Sequence, residues 1–233
     1  LGMLPQASVD AAADMVSRQW GERLIRSWNE GWIDAPTRIG DKIAPLIGAE
    51  AGEVIVADST SVNLFKLLVA ALRRDPARRV VVSEAGNFPT DLHIATGAVG
   101  CVPGAELRVV ARDQLADALG DATAVLLLTH VHYKTGARFH MARWTANAHA
   151  VGALMLWDLS HSAGAVAIDL NGANADLAVG CGYKYLNGGP GAPAYLFVAE
   201  RWQAALGNPL SGWMGHAAPF AFTDDYVAAP GMK

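Results

Sequence analysis

The sequence predicts an α/β domain, a mostly parallel sheet covered by helices on both faces, and three observations carry that reading. Short apolar runs rich in Val and Leu recur without polar alternation, at Val54-Ile-Val-Ala57, Arg79-Val-Val-Val-Ser83, Leu107-Arg-Val-Val110, Ala124 to Thr129, Ala153 to Trp157 and Leu177 to Gly180. Strands buried on both faces have this composition, because a parallel sheet packs helices against each side. Helix-periodic stretches lie between many of the runs, at Ser61 to Arg74, Thr90 to Val99, Gln114 to Leu119 and Ala142 to Val151, and such alternation points to a doubly wound domain. Finally, 52% of the 233 residues are hydrophobic and 17% are charged, a balance that suits a large buried core and argues against global disorder.

Taken in chain order, Val9 to Trp28 reads as an amphipathic helix, with Ala13, Val16, Trp20, Leu24 and Ile25 near one face and Ser8 as its N-cap. A short second helix is expected from Ile39 to Ile47, stopped by Gly48. The six apolar runs follow, and a seventh, Ala194-Tyr-Leu-Phe-Val198, is expected as an added antiparallel strand. Beyond Trp202, Pro and Gly recur and periodicity fades. Residues 1–50 are therefore read as an N-terminal helical segment, 51–205 as the α/β domain proper and 206–233 as a connection. Opening at Leu1 without methionine and closing at Lys233 right after Ala-Pro-Gly-Met, the chain is expected to be a piece of a longer protein.

A formal net charge of −4 creates no general field for nucleic acid or an anionic membrane surface, so the expected partner is a small ligand. The longest apolar runs are far too short to span a bilayer, and without a secretory start a cytoplasmic location is expected. Cys101 and Cys181 cannot make a disulfide framework or a four-ligand zinc site between them, and both are expected to be reduced and partly buried.

In open α/β sheets, ligands collect outside the carboxyl ends of the strands, and the residues there are unusually polar. They form five clusters, Asp58-Ser-Thr-Ser61, Glu84 to Asp91, Thr129-His-Val-His132, Asp158-Leu-Ser-His161 and Tyr183-Lys-Tyr185. Five such clusters on one edge of an apolar sheet describe a single site. Asp158 ends the most apolar strand, where an unpartnered charge is costly, so a buried cation such as a pyridinium nitrogen is a candidate partner. An Asp at a strand end also serves as a turn or cap residue, and His161, three residues on, reads equally as a structural histidine. Lys184 sits among Cys181-Gly-Tyr-Lys-Tyr-Leu-Asn-Gly-Gly-Pro-Gly191 with few countercharges, surroundings that favour the neutral amine a Schiff-base nucleophile requires.

The hydroxyl run Ser59-Thr60-Ser61 opens a helix after a strand, which makes a ready phosphate site. Phe88-Pro-Thr-Asp91 opens another, where Phe88 either stacks on an aromatic ligand or serves as a hydrophobic staple. His130 and His132 suggest a metal pair, but no carboxylate or Cys completes a set and Lys134 would oppose a cation. Gly188-Gly-Pro-Gly191 lacks the strand and helix of a dinucleotide fingerprint.

In order and spacing, Ser-Thr-Ser-Val-Asn-Leu, Asn-Phe-Pro-Thr-Asp, Thr-His-Val-His-Tyr-Lys-Thr-Gly, Trp-Asp-Leu-Ser-His-Ser-Ala-Gly, Gly-Tyr-Lys-Tyr-Leu-Asn-Gly-Gly-Pro-Gly and Gly-Trp-Met-Gly-His together resemble the kynureninase family. The likeness runs from Leu1-Gly-Met-Leu-Pro5 to Pro230-Gly-Met232. It implies the large domain of a fold-type-I pyridoxal-phosphate enzyme, with the C-terminal small domain and its substrate-carboxylate arginine missing. The cofactor it implies is pyridoxal 5′-phosphate, bound as a Schiff base on Lys184. By position, the resemblance gives Asp158 the pyridine nitrogen, with His161 in support, and places Phe88 on the ring with Asp91 close by. Thr60, Ser61, Tyr183 and Trp213 would hold the phosphate or its surroundings, and Thr129 would line the pocket. Tyr183 would donate protons, and Trp213 would act in the neighbouring subunit of a homodimer. The implied reaction is hydrolytic Cβ–Cγ cleavage of L-kynurenine, and of its ring-hydroxylated form, to anthranilate and L-alanine in tryptophan degradation. A cysteine desulfurase or class V aminotransferase shares the cofactor lysine and the Asp-x-x-His pattern, and an inactive truncated binding fragment is the rival from another class.

Overall fold

The computed structural model describes residues 2–232; Leu1 and Lys233, the outermost residues of the two expected end segments, lie outside the described residues. The chain opens with helix α1 (Gln6–Asp14), continued by a π-helical turn at Met15–Trp20, and another π-helical turn follows at Trp28–Trp32. Helix α2 (Ala35–Ile43) runs into a 3-10 turn (Ala44–Ile47) that stops at Gly48, whose φ of 65° is one that side-chain-bearing residues avoid. The sheet then builds up through β1 (Val54–Val56), α3 (Thr60–Arg74), β2 (Val80–Glu84), α4 (Pro89–Gly100), β3 (Glu106–Val110), α5 (Leu115–Ala118), β4 (Thr123–Thr129), α6 (Met141–Ala150), β5 (Leu154–Asp158), β6 (Leu177–Cys181), β7 (Ala194–Val198) and α7 (Glu200–Gln203). All seven expected strands form, each within one residue or so of its predicted bounds.

The strands lie in the order β1-β7-β6-β5-β4-β2-β3. Neighbours from β6 to β3 run parallel, while β7 is antiparallel to both β6 and β1, the added antiparallel strand that the sequence predicts. Because side chains alternate along a strand, two cores form. Val82, Leu126, Leu128, Met155 and Trp157 face one side with Phe139. Val81, Val125, Leu127, Leu154 and Leu156 face the other, against Leu64, Leu68 and Leu72 of α3 and Ala95 and Ala98 of α4. The covered faces explain why these strands lack polar alternation. Edge strand β3 is the exception, with Val109 41% exposed where burial on both faces is expected.

The N-terminal helix needs correction. It begins at Gln6 with Pro5 in the capping position, not at Ser8, and helical structure breaks after Trp20 into turns that include Leu24 at φ 52°. Gly21, a poor helix former, sits at the break. The apolar face read from Val16, Trp20, Leu24 and Ile25 is not buried, and all four are more than half exposed. No helix among the described residues is long and apolar enough to cross a membrane.

Candidate functional site

Register places the polar clusters together. Thr129 at the end of β4 pairs with Asp158 at the end of β5, Ser83 on β2 pairs with Leu127 on β4, and Cys181 at the end of β6 pairs with Ala194. The Ala194 N–H donates to the carbonyl of Asp58 at 2.9 Å, which fastens the loop after β1 to the same margin. All five clusters therefore lie along one sheet edge, as the sequence predicts.

Strand parity then selects which side chains meet. Ser83, Thr129 and Asp158 share the parity of Val81, Leu127 and Leu156, so they point to the face covered by α3 and α4. Pro89 occupies the first turn of α4, a position suited to its fixed φ and missing N–H, and the helix presents Asp91 from that turn. Asp91 and Asp158 are 2% and 1% exposed. The Thr129 hydroxyl lies 3.3 Å from Asp91 Oδ2 and in close contact with Asn87 Oδ1, and Asp158 Oδ1 accepts from the Ser160 N–H at 2.8 Å. Burial, and next the charge of Asp158, push the Asp91 carboxyl well above the usual carboxylate range. Among the described residues neither carboxylate forms a salt bridge.

Lys184 closes the other side. Its Nζ is 2.8 Å from His161 Nε2 and 5.6 and 5.9 Å from the ring centroids of Phe88 and Tyr183. Burial, then the Lys184 charge, lower the His161 pKa, and His161 Nδ1 is buried without a hydrogen-bond partner among the described residues. Phe88 stands edge-on to Tyr133 at 5.1 Å, and both rings lie just over 6 Å from His161. Burial raises the pKa of Tyr183, which is 40% exposed.

Of the expected phosphate residues, Thr60 and Ser61 are the first two of α3, and Ser59 caps the helix by accepting from the Val62 N–H at 3.3 Å. Trp213 packs with Trp28, Phe220 and Phe222 at 5.5 to 5.8 Å, a cluster formed by the two ends of the chain. Cys181 is buried, but Cys101 is exposed rather than partly buried, because it follows the last turn of α4.

His130 and His132 part company. His132 Nε2 bonds the Gly86 carbonyl at 2.9 Å, while His130, of opposite parity to Thr129, stacks edge-on against Trp157 and is 4% exposed. Burial, helped by Arg138, lowers the His130 pKa from 6.5 to about 4. The unfolded chain therefore binds a proton that the folded one refuses, so this contribution to stability is present above pH 6.5 and is lost as pH falls toward 4. The loss is on the order of a few kcal/mol. Denaturant titrations of wild type and His130→Leu across that window should show wild type losing the larger share. Parallel pH profiles would refute the assignment.

Asn87, Tyr133 and Ser83 belong to this geometry, yet the sequence reading did not single them out. The first two stand inside motifs it quotes, Asn-Phe-Pro-Thr-Asp and Thr-His-Val-His-Tyr, and Ser83 ends an apolar run. Strand parity is the signal that could have found Ser83.

A lysine amine beside a histidine and near a buried acid pair, on the edge of this kind of sheet, points to a class, and the sequence agrees. The pattern of the aminotransferase class-V family matches residues 3–212, and the chain belongs to that family. Within it, the chain is similar to curated kynureninases. The kynureninase of Burkholderia pseudomallei (strain 1106a) is 54% identical over 239 residues, and that of Deinococcus radiodurans is 50% identical. Each alignment takes in 100% of this chain and 58% of the relative, so the chain spans less than two thirds of their length. Solved structures share the fold at low identity. The apo cysteine desulfurase from Thermococcus onnurineus NA1 has TM-score 0.78 at 18% identity, covering 99% of this chain and 59% of that one. The cystine C-S lyase C-DES, in complex with cysteine persulfide, has TM-score 0.81 at 15% identity, covering 99% and 62%.

Proposed function

We propose that this chain binds pyridoxal 5′-phosphate and that the protein to which it belongs hydrolyses L-kynurenine, with its ring-hydroxylated form, to anthranilate and L-alanine. The observation that carries the reading is a buried Asp158–Asp91 pair that forms no salt bridge among the described residues, on the same sheet edge as the Lys184 amine. Two buried acids with no cation in salt-bridge reach among the described residues are costly, and a protonated ring nitrogen would supply the missing partner. The unpartnered Nδ1 of His161 and the hydroxyls and free amides opening α3 fit the rest of the group, since a helix N-terminus suits a phosphate.

When bound, pyridoxal phosphate supplies an electron sink for charge developing at the substrate Cα. Asp158 holds the ring nitrogen protonated, with Asp91 beside it. Lys184 would hold the group through Nζ, and the same amine, when free, would take the substrate Cα proton as general base. His161 orients that amine. Phe88 stacks on the ring, Thr129 lines the pocket, and Thr60 and Ser61 hold the phosphate. Tyr183, next to Lys184 in sequence and beside it in space, would donate the proton that Cβ of the retained alanyl fragment takes up when the acyl group leaves. Trp213 completes the phosphate surroundings of a neighbouring subunit in a homodimer. Residues 51–205 are the cofactor-binding domain, framed by an N-terminal helical segment and a connection to a small domain carrying the carboxylate-binding arginine. The setting is tryptophan degradation in the cytoplasm.

Pyridoxal phosphate added to the purified chain is expected to give a visible absorbance band that Lys184→Ala abolishes; identical spectra would remove Lys184 from its role. In the full-length protein, anthranilate fluorescence should rise on adding kynurenine, whereas sulfide released from cysteine instead would move the reading to a desulfurase.

A further inference from the structure

We propose that Asn87, held by Ser83, sets the charge of the buried acid pair by claiming the one proton of the Thr129 hydroxyl, which makes Asp91 the neutral member and Asp158 the charged one. Hydrogen-bond directions along the chain lead there. The Ser83 O–H donates to the Leu127 carbonyl at 2.8 Å, which leaves its oxygen free to accept from Asn87 Nδ2 at 3.1 Å. That contact orients the Asn87 amide, and a second one agrees, because the Phe88 N–H donates to Asn87 Oδ1 at 2.7 Å. Turning the amide over would set N–H against NH2. Asn87 Oδ1 is therefore an acceptor, and the Thr129 hydroxyl in close contact with it must donate.

A hydroxyl has one proton to give. With that proton committed to Asn87, the Thr129 oxygen presents only lone pairs to Asp91 Oδ2 at 3.3 Å. An ionised Asp91 would answer with lone pairs of its own, whereas a protonated Asp91 donates. The charged groups facing Asp91 are Asp158 and Lys184. Two adjacent buried carboxylates rarely ionise together, so one negative charge remains, on Asp158, where the Ser160 N–H supports it. Ser83, Asn87 and Thr129 are 0%, 3% and 5% exposed, which keeps water from supplying alternative protons. Asn87 is thus a positioning residue acting through Thr129. Its consequence for the reaction rests on the cofactor reading above, in which Asp158 faces the ring nitrogen, but its effect on Asp91 does not.

Infrared spectroscopy of the full chain at pH 7, with and without pyridoxal phosphate, tests this. Wild type is expected to show the carbonyl band of a protonated, buried carboxyl that is missing from Asp91→Asn. In Asn87→Ala the Thr129 hydroxyl is released to donate to Asp91, and the band should fall by at least half. The double variant Asn87→Ala with Thr129→Val, which has no hydroxyl to redirect, should regain it. If Asn87→Ala does not fold, Thr129→Val alone decides, since the band should persist there with a shifted frequency. A structural role for Asn87 would lower thermal stability without touching the band. The proposal is overturned if wild type lacks an Asp91-dependent band, if one appears only in Thr129→Val, or if Asn87→Ala leaves it unchanged. Failure of the cofactor reading has a different signature: no visible absorbance with pyridoxal phosphate, whatever the infrared result in the cofactor-free chain.

Discussion

In Asp158→Asn, affinity for pyridoxal phosphate is expected to fall at least a hundredfold. Asparagine keeps the volume of the side chain and can still accept from the Ser160 N–H at 2.8 Å, so the fold should be retained. What it removes is the single negative charge in a pocket where the ring nitrogen would be cationic. Breaking a buried pair by removing one partner typically costs about 3–5 kcal/mol, and each 1.4 kcal/mol is about a factor of ten in affinity, which gives roughly two to three orders of magnitude. Asp91 limits the loss. Its carboxyl is held high by burial and then by the charge of Asp158; without that charge it ionises more readily and takes over part of the task. The double variant with Asp91→Asn should therefore lose more affinity than Asp158→Asn alone. Titration of the visible band with cofactor measures both, and an Asp158→Asn affinity within threefold of wild type would sink the assignment.

Much of this site was legible before any coordinate, because sheet geometry reduces its placement to counting. Parallel strands put their carboxyl ends on one edge, so the residues after Ala57, Ser83, Leu128, Trp157 and Gly180 had to be neighbours once those runs were strands. Other features depended on tertiary contacts that no local pattern carries. Val9 to Trp28 has helical periodicity, yet its apolar face stays largely exposed and the helix breaks at Gly21, since packing supplies most of a helix's stability in proteins. Asn87 stands out in the sequence only as the first residue of Asn-Phe-Pro-Thr-Asp. Its role follows from the direction of four hydrogen bonds, which join β2, β4 and the start of α4 across more than forty residues of sequence. His130 and His132 looked like a pair because they are two apart, but both lie past the end of β4, where the chain sends one to Trp157 and the other to Gly86.

Asp176→Ala should be the most destabilising single change outside the site, by about 3–5 kcal/mol, which for a chain of this size lowers Tm by roughly 10 °C. Asp176 precedes β6, is 1% exposed and joins four elements. It accepts from His149 of α6 at 2.7 Å, the Met155 N–H of β5 at 2.8 Å, and Arg201 and the Trp202 indole of α7 at 2.7 Å each. Alanine leaves the Met155 and Trp202 donors without an acceptor, and each buried orphan costs about 1–3 kcal/mol. Burial alone would raise the Asp176 pKa, but the bonds from His149, Met155 and Trp202 outweigh it and the net shift is downward from 3.8. The unfolded chain therefore takes up this proton first as acid is added. The stability Asp176 supplies is complete above its unfolded pKa and drains away as pH falls through the lower folded value. Calorimetry of wild type and variant should show a gap that persists down to about pH 4 and narrows below it, while cofactor affinity, measured well below Tm, stays within a few-fold. A gap that widened in acid would mean that Asp176 is neutral in the folded protein, and the four-way junction would then have to be held by something other than its charge.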